Sequence, residues 1–248
     1  MMKVNYKHFN HQEVILFEQA KELSRARYSL NPVNNTYIIL SKINEYKDSG
    51  AAYLECGTFK GNTLITAANY CQLKDIQTKL IGVDTFKGFP PQEDYYKDLP
   101  EYFNKLYQEG RISEYHFNKA KERTNNFTYH SHLTNEYFLD VKDIFTKVQD
   151  FTNVELRLGT FEEVLPTVAD PIAVLHLDGD LYWSYITCLT RLYDNIIPGG
   201  CIIFDEYYSY KYPGARAAVD EFFQDKEGEF EMYITPEGFE RWCFIKSL

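Results

Sequence analysis

Ala51-Ala52-Tyr53-Leu54-Glu55-Cys56-Gly57-Thr58-Phe59-Lys60-Gly61 decides the fold of this chain. A run that is apolar except for one acid enters a turn with two glycines four residues apart, and Gly61 to Cys71 then carries a helical pattern. That is strand, loop, helix. Lys79-Leu80-Ile81-Gly82-Val83-Asp84 is a second strand ending in an acid, and Val154–Leu158, Ile172–Asp178 and Cys201–Asp205 are further short apolar runs. Helical segments near 161–165 and 183–196 separate these runs. Apolar strands alternating with helices predict an α/β fold: a mostly parallel sheet with helices on both faces. Phe230–Thr235 and Arg241–Lys246, joined by Pro236-Glu237-Gly238-Phe239-Glu240, predict an antiparallel hairpin closing that sheet.

Upstream, two helical patterns cover 11–25 and 34–48, the first with Val14, Phe17 and Leu23 among its apolar positions. Without an internal repeat or a Ser/Gly-rich linker, residues 1–248 read as one domain, with 1–50 as N-terminal helices. The stretch 88–150 is a polar, partly helical insertion rich in Tyr and Phe. An insertion of that length is more often a lid or substrate-binding element than a bare loop.

The 248 residues carry 36 acidic and 26 basic side chains, a net charge of −10, which argues against a nucleic-acid partner because phosphate binding is mostly cationic. No apolar window approaches the length of a membrane span and no secretory signal is found, so no membrane association is expected and the expected compartment is the cytoplasm. The five cysteines are scattered without a CxxC pair and read as small buried hydrophobes rather than zinc or redox ligands. The 21 Tyr and 18 Phe exceed what a core alone needs.

In an open parallel α/β sheet, ligands sit outside the carboxyl ends of the strands. Those ends are acidic here: Glu55, Asp84, Asp178 and the pair Asp205-Glu206. Gly57 lets the backbone approach a ligand closely. Asp84, at the end of the next strand, can accept hydrogen bonds from both hydroxyls of a ribose, which points to an adenosine-containing ligand. A GxGxxG turn is absent and Glu55 would repel a pyrophosphate, whereas it would attract the α-ammonium of S-adenosylmethionine. Asp178, Asp205 and Glu206 offer hard oxygen donors suited to Mg²⁺. The alternative is that Asp180 and Glu206 are solvated loop acids and Asp178 only caps the next helix.

With these residues in place the sequence resembles the macrocin O-methyltransferase (TylF-like) family of class I methyltransferases. The resemblance rests on Leu54–Gly61, on Val83-Asp84-Thr85-Phe86-Lys87-Gly88-Phe89-Pro90, and on His176-Leu177-Asp178-Gly179-Asp180-Leu181-Tyr182. It continues through Pro198-Gly199-Gly200 and Asp205-Glu206-Tyr207 to Pro213-Gly214-Ala215-Arg216-Ala217-Ala218-Val219-Asp220. It implies a Rossmann-like seven-stranded sheet and an S-adenosylmethionine- and Mg²⁺-dependent enzyme that methylates a sugar hydroxyl. The cofactor-binding set is then Glu55, Gly57, Thr58, Gly61, Asp84, Thr85, Gly159, Thr160, Phe161 and Asp178, the last three before Asp178 near adenine. Asp178, Asp205 and Glu206 would hold the metal, with Glu206 standing where many relatives have Asp.

Proton removal falls to an acid near Asp178 or to a histidine. His176, inside an apolar strand, reads as a packed residue more than a base, and His130 and His132 lie in the insertion. The insertion aromatics Tyr95-Tyr96, Tyr102-Phe103, Tyr107, Tyr115 and Phe117 suit either sugar rings or the packing of a helical lid or homodimer contact. Tyr207-Tyr208, Tyr210 and Trp183 are the better candidates for a substrate wall. The expected partner is a small-molecule glycoside or sugar. A catechol-type O-methyltransferase and a cofactor-binding subunit without methyl transfer remain the alternatives.

Overall fold

A computed structural model describes residues 4–32, 36–92, 94–122, 141–235 and 240–248, without the side chain of Lys119. In chain order the strands are β1 Val4–His8, β2 Ala52–Cys56, β3 Leu80–Asp84, β4 Val154–Leu158, β5 Ile172–Leu177, β6 Ile196–Phe204, β7 Gly228–Ile234 and β8 Glu240–Lys246. The helices are α1 His11–Tyr28, α2 Thr36–Glu45, α3 Asn62–Lys74, α4 Pro100–Gln108, α5 Glu114–Glu122, α6 Val141–Val148, α7 Phe161–Val164, α8 Tyr182–Leu192 and α9 Pro213–Phe222.

All five residues of β2 are buried, so it lies mid-sheet and is covered on both faces. The order is β1-β7-β8-β6-β5-β2-β3-β4. Among the described strands only β8 runs antiparallel, to β6 on one side and β7 on the other. Seven of these strands are the ones the sequence predicts; β1, pairing in parallel with β7, is an eighth. Its burial is low and follows no apolar period, so register with Phe230–Ile234 rather than patterning makes it a strand.

Period-two alternation along the strands feeds two cores. Tyr53 packs with Phe17, Ile39 and Ala68 beneath α1–α3, whereas Leu54 packs with Leu175, Leu189 and Val219 beneath α8 and α9. Each core is close to fully buried at its centre, worth roughly 1.5–3 kcal/mol per large apolar side chain. α1 begins with a capping box, Glu13 N–H donating to Asn10 Oδ1 at 2.8 Å and Asn10 N–H to Glu13 Oε2 at 3.3 Å, which satisfies two end donors of the helix. All five cysteines are free and buried, as small hydrophobes should be.

Order along the sheet also fixes the place of the site. From β2 the chain moves outward through β3 to β4, then returns to β5 on the other side of β2. A crevice opens where the direction of winding reverses, at the carboxyl ends of β2 and β5. There Asp178 N–H donates to Cys56 O at 2.9 Å, drawing the two strand ends together. A Cβ on Gly57 (φ 101°) would lie 1.9 Å from Asp178 O, so only glycine fits.

Candidate active site

Asp84 organises the first half of the site through backbone donors. Its Oδ2 accepts from Phe59 N–H at 2.8 Å and its Oδ1 from Phe86 N–H at 2.6 Å, which latches the loop after β2 to the loop after β3. Phe59 and Phe86 adopt φ of 46° and 53°, a left-handed conformation that costs a non-glycine residue energy and persists where the surroundings impose it. Burial lifts the Asp84 carboxyl above its ordinary range, against the pull of these backbone donors.

A cavity of about 420 Å³ opens over this latch, lined by Gly57, Phe59, Asp84, Thr85, Phe86, the insertion start Gly88–Gln92, Phe161, Asp178–Asp180, Trp183, Ser184, Lys211 and Tyr212. It brings together Gly57, Asp84, Thr85, Phe161 and Asp178 of the predicted cofactor set. The other five are not among the residues that line it. Gly61, at φ 76°, starts α3, and Gly159 N–H donates to Asp84 O at 3.1 Å. Thr160 caps α7 with Glu163, and buried Thr58 has an Oγ1 without a hydrogen-bond partner among the described residues. Glu55 is 1 % exposed, with Oε1 3.5 Å from His176 Nδ1 and Oε2 without a hydrogen-bond partner among the described residues.

The second half of the site is a cluster of acids. Carboxylate oxygens of Asp178, Asp205 and Glu206, from the ends of β5 and β6, lie within 4.8 Å of one another. Burial, then the Asp205 charge, pushes both Asp178 and Glu206 well above the usual carboxylate range. Asp205 moves the other way, to about 2: burial opposes the shift, but the cations His176 and Arg241 beside it prevail. Tyr185 O–H donates to Glu206 Oε2 at 2.7 Å. Asp180, in a left-handed conformation (φ 61°), is pushed up to about 7 by burial against the opposing charge of Lys211.

His176 is buried, as its apolar strand implies, yet it stands between two acids. Burial works against its protonation, but the carboxylates of Asp205 and Glu55 push its pKa up to about 10. Its Nε2 stands 3.8 Å from Asp205 Oδ1, an ion-pair rather than a hydrogen-bond distance. An imidazolium that holds its proton to such a pH braces two acids and does not act as a base near neutrality.

A second cavity, about 320 Å³, lies on the far side of these acids. Its wall includes Asp178, Asp180, Asp205, Glu206, Tyr207–Tyr212, Glu240, Arg241, Trp242 and Ala120 of α5. Asp178, Asp180, Lys211 and Tyr212 line both cavities and form the seam between them. His116 of α5 contacts Glu240 through Nε2 and stacks on Tyr208 at 4.2 Å, fastening the insertion over this second cavity.

Tyr207, Tyr208 and Tyr210 therefore stand where the sequence places a substrate wall, but Trp183 faces the first cavity instead. Most insertion aromatics pack: Phe103 and Tyr107 stack on Phe117 at 5.7 and 4.3 Å, and Phe103 meets Tyr210 at 5.2 Å. Tyr115 and Tyr96 stay exposed. His130, His132 and Pro236–Phe239 lie outside the described residues. Lys211, Arg241, His116 and Glu240 are site residues that the sequence does not single out. A single cation set among tyrosines just after a strand-end acid pair is the available signal for Lys211; Arg241 and Glu240 carry none, since only sheet pairing brings β8 beside Asp205.

The profile of the macrocin O-methyltransferase (TylF) family matches residues 34–233. Mycinamicin III 3''-O-methyltransferase of Micromonospora griseorubida is 28% identical over 178 residues, 71% of this chain and 61% of that protein. Demethyldecarbamoylnovobiocin O-methyltransferase of Streptomyces niveus is 28% identical over 173 residues, 68% of this chain and 56% of that protein. The chain thus spans about three fifths of the length of these relatives. In fold it is similar to the O-methyltransferase NovP, with a TM-score of 0.61 and 20% identity over 87% of this chain and 81% of that one. It is also similar to the calicheamicin methyltransferase CalS11, with a TM-score of 0.56 and 16% identity over 96% of this chain and 94% of that one. With 34–233 matched, the two-cavity site at the β2/β5 crevice falls wholly within the shared region, apart from its β8 wall, and the chain belongs to the macrocin O-methyltransferase (TylF) family.

Proposed function

We propose that the protein is an S-adenosylmethionine- and Mg²⁺-dependent O-methyltransferase of the cytoplasm, acting on a sugar hydroxyl of a glycosylated small molecule, nucleotide-sugar or polysaccharide precursor. The observation that carries this reading is the seam: Asp178 lines the cavity that holds the ribose-type acid Asp84 and also the cavity that holds Asp205 and Glu206. A donor and an acceptor bound on either side would meet there. The relatives named for mycinamicin III and demethyldecarbamoylnovobiocin support the acceptor class.

The acids fit a hard divalent cation. All donors are oxygens, they come from adjacent strand ends, and their mutual repulsion is what a cation would relieve. Among the described residues, the carboxylates of Glu55, Asp178, Asp180, Asp205 and Glu206 outnumber the cationic groups beside them, His176, Lys211 and Arg241. Asp178, Asp205 and Glu206 would hold Mg²⁺, which when bound eases loss of a proton from a hydroxyl and offsets the charge that develops on its oxygen. S-adenosylmethionine supplies a methyl group already activated by the sulfonium.

The chain's own residues supply binding and orientation. Asp84, its two oxygens fixed by Phe59 and Phe86, is preorganised to accept from ribose hydroxyls. Glu55, which lines neither cavity and has His176 Nδ1 3.5 Å from its Oε1, would act on the methionine ammonium through its charge rather than by contact. Phe161 and Trp183 give flat walls for the adenine. Asp178 is placed to accept the proton that the acceptor hydroxyl loses as its oxygen takes the methyl group, and Tyr208 and Trp242 offer ring faces to the acceptor.

Methyl transfer to a panel of vicinal-diol sugars and phenols, with and without excess chelator, tests the reading. Sugar turnover should fall at least ~100-fold in chelator and return with Mg²⁺. Full turnover in chelator would remove the metal from the mechanism, and a clear preference for phenols would move the acceptor to the catechol class.

A further inference from the structure

Asp98 belongs to the insertion and lines neither cavity, yet it sits where the two segments that form their seam begin their helices. It closes a single 3-10 turn, Tyr96–Asp98, and is completely buried. Its Oδ1 accepts from Tyr182 N–H at 2.8 Å, the first residue of α8. Leu181, just before that helix, has no side chain that can cap it, so an acid 84 residues upstream does so.

The same carboxyl lies against the start of α9. A Cβ on Gly214 would stand 1.9 Å from Asp98 Oδ1, and Tyr212, which precedes that helix, makes no side-chain cap either. Glycine at 214 is therefore a requirement of the acid beside it. An outer ring secures the joint: Lys97 Nζ reaches Glu221 Oε1 at 2.9 Å and lies 3.8 Å from the Tyr182 ring centroid, and Tyr182 O–H donates to Glu221 at 2.7 Å.

Asp98 Oδ2 has no hydrogen-bond partner among the described residues. A buried acceptor left unpaired is costly, and packing alone would favour an apolar side chain there. What the acid joins gives a reason for keeping it. Directly before α8 stand Asp178–Asp180, and its first turn carries Trp183 and Ser184; directly before α9 stand Lys211 and Tyr212. A few residues upstream of Asp98 itself, Gly88–Gln92 line the first cavity.

We propose that Asp98 is a positioning residue that sets the spacing of 178–184 against 211–214 and so holds the larger cavity in the shape that takes S-adenosylmethionine. This rests on the cofactor occupying that cavity, and Asp84→Asn tests that separately. S-adenosylmethionine affinity is measured by calorimetry on the full chain for Asp98→Ala, Asp98→Asn, Gly214→Ala and Asp84→Asn, alongside thermal melting and steady-state kinetics. Asp98→Ala should weaken affinity at least ~10-fold and raise the KM for S-adenosylmethionine by a similar factor, with kcat at saturation within ~3-fold. Asp98→Asn keeps an oxygen for Tyr182 N–H and should stay within ~3-fold of wild type. Gly214→Ala, which retains the acid but displaces it, should match Asp98→Ala and stands in for it if that variant does not fold. A lower melting temperature with unchanged affinity in Asp98→Ala or Gly214→Ala, while Asp84→Asn binds weakly, would reduce Asp98 to a structural cap and overturn the proposal. Unchanged affinity in Asp84→Asn as well would instead overturn the cavity assignment beneath it.

Discussion

The two halves of the site are held by different forces. After β2 and β3, the latch is made of backbone N–H groups on one carboxylate, all from residues 59–86, and its geometry is complete within the loops themselves. After β5 and β6, buried acids crowd against one another, and what steadies them comes from elsewhere: His176 from within the strand, Arg241 from β8, Tyr185 from α8. The first half is a preformed receptacle. The second is a crowd of acids whose burial and mutual repulsion raise Asp178 and Glu206 together.

That contrast can be broken from either side. The largest effect is expected at Asp178: Asp178→Asn should lower kcat by ~10²–10⁴-fold, the range for loss of a general base, with a smaller change in S-adenosylmethionine affinity. Rapid-quench or steady-state assays at saturating cofactor would read it. A loss carried mainly by cofactor affinity would show that the acid serves the first half rather than the second. Next in size, Asp84→Asn should weaken S-adenosylmethionine binding ~10–100-fold, as for a lost charge-assisted hydrogen bond, with kcat at saturation little changed. Calorimetry and saturation kinetics on the same preparation separate the two parameters.

The smallest expected effect, taken per pH unit, is a slope of stability with pH. Burial, with the Asp94 charge adding and Lys97 opposing, pushes Asp98 up to about 7 from an ordinary 3.8. Asp98 in turn adds to the rise at Asp180. A carboxyl whose folded pKa is raised binds its proton more tightly in the native state, so its contribution is fully present below about pH 4 and is lost as pH climbs through about 7. Wild type should therefore lose stability relative to Asp98→Asn across that window, by at most ~1.4 kcal/mol per pH unit. Denaturant midpoints of the pair at pH 4, 6 and 8 would show it, and parallel curves would rule it out.

The same division governs what the sequence discloses. Strand ends are legible because the apolar run, the turn glycine and the acid are neighbours in the chain: Leu54–Gly61 and Val83–Gly88 need no tertiary knowledge to be read. The acids at 178, 205 and 206 are equally visible, since each closes a run of buried residues. Their supports are not. Asp98 caps a helix 84 residues away, His116 meets Glu240 across 124 positions, and Arg241 reaches Asp205 only because β8 pairs with β6. The role of His176 turns on the same limit: an apolar strand foretells burial, but the two acids that charge it lie on the neighbouring strands. The aromatic excess also divides in space, with Tyr102, Phe103 and Phe117 forming a small core of their own while Tyr207–Tyr210 face the second cavity.

The strand Val4–His8 bears on solubility. Without it, β7 would be the rim of the sheet, and its Phe230-Glu231-Met232-Tyr233-Ile234 would present unpaired backbone groups along a largely apolar segment. Such a rim templates strand addition by another molecule. β1 occupies it and turns outward a strand with Asn5, Lys7 and His8, so the closing of the sheet depends on five residues remote in sequence from every residue of the site.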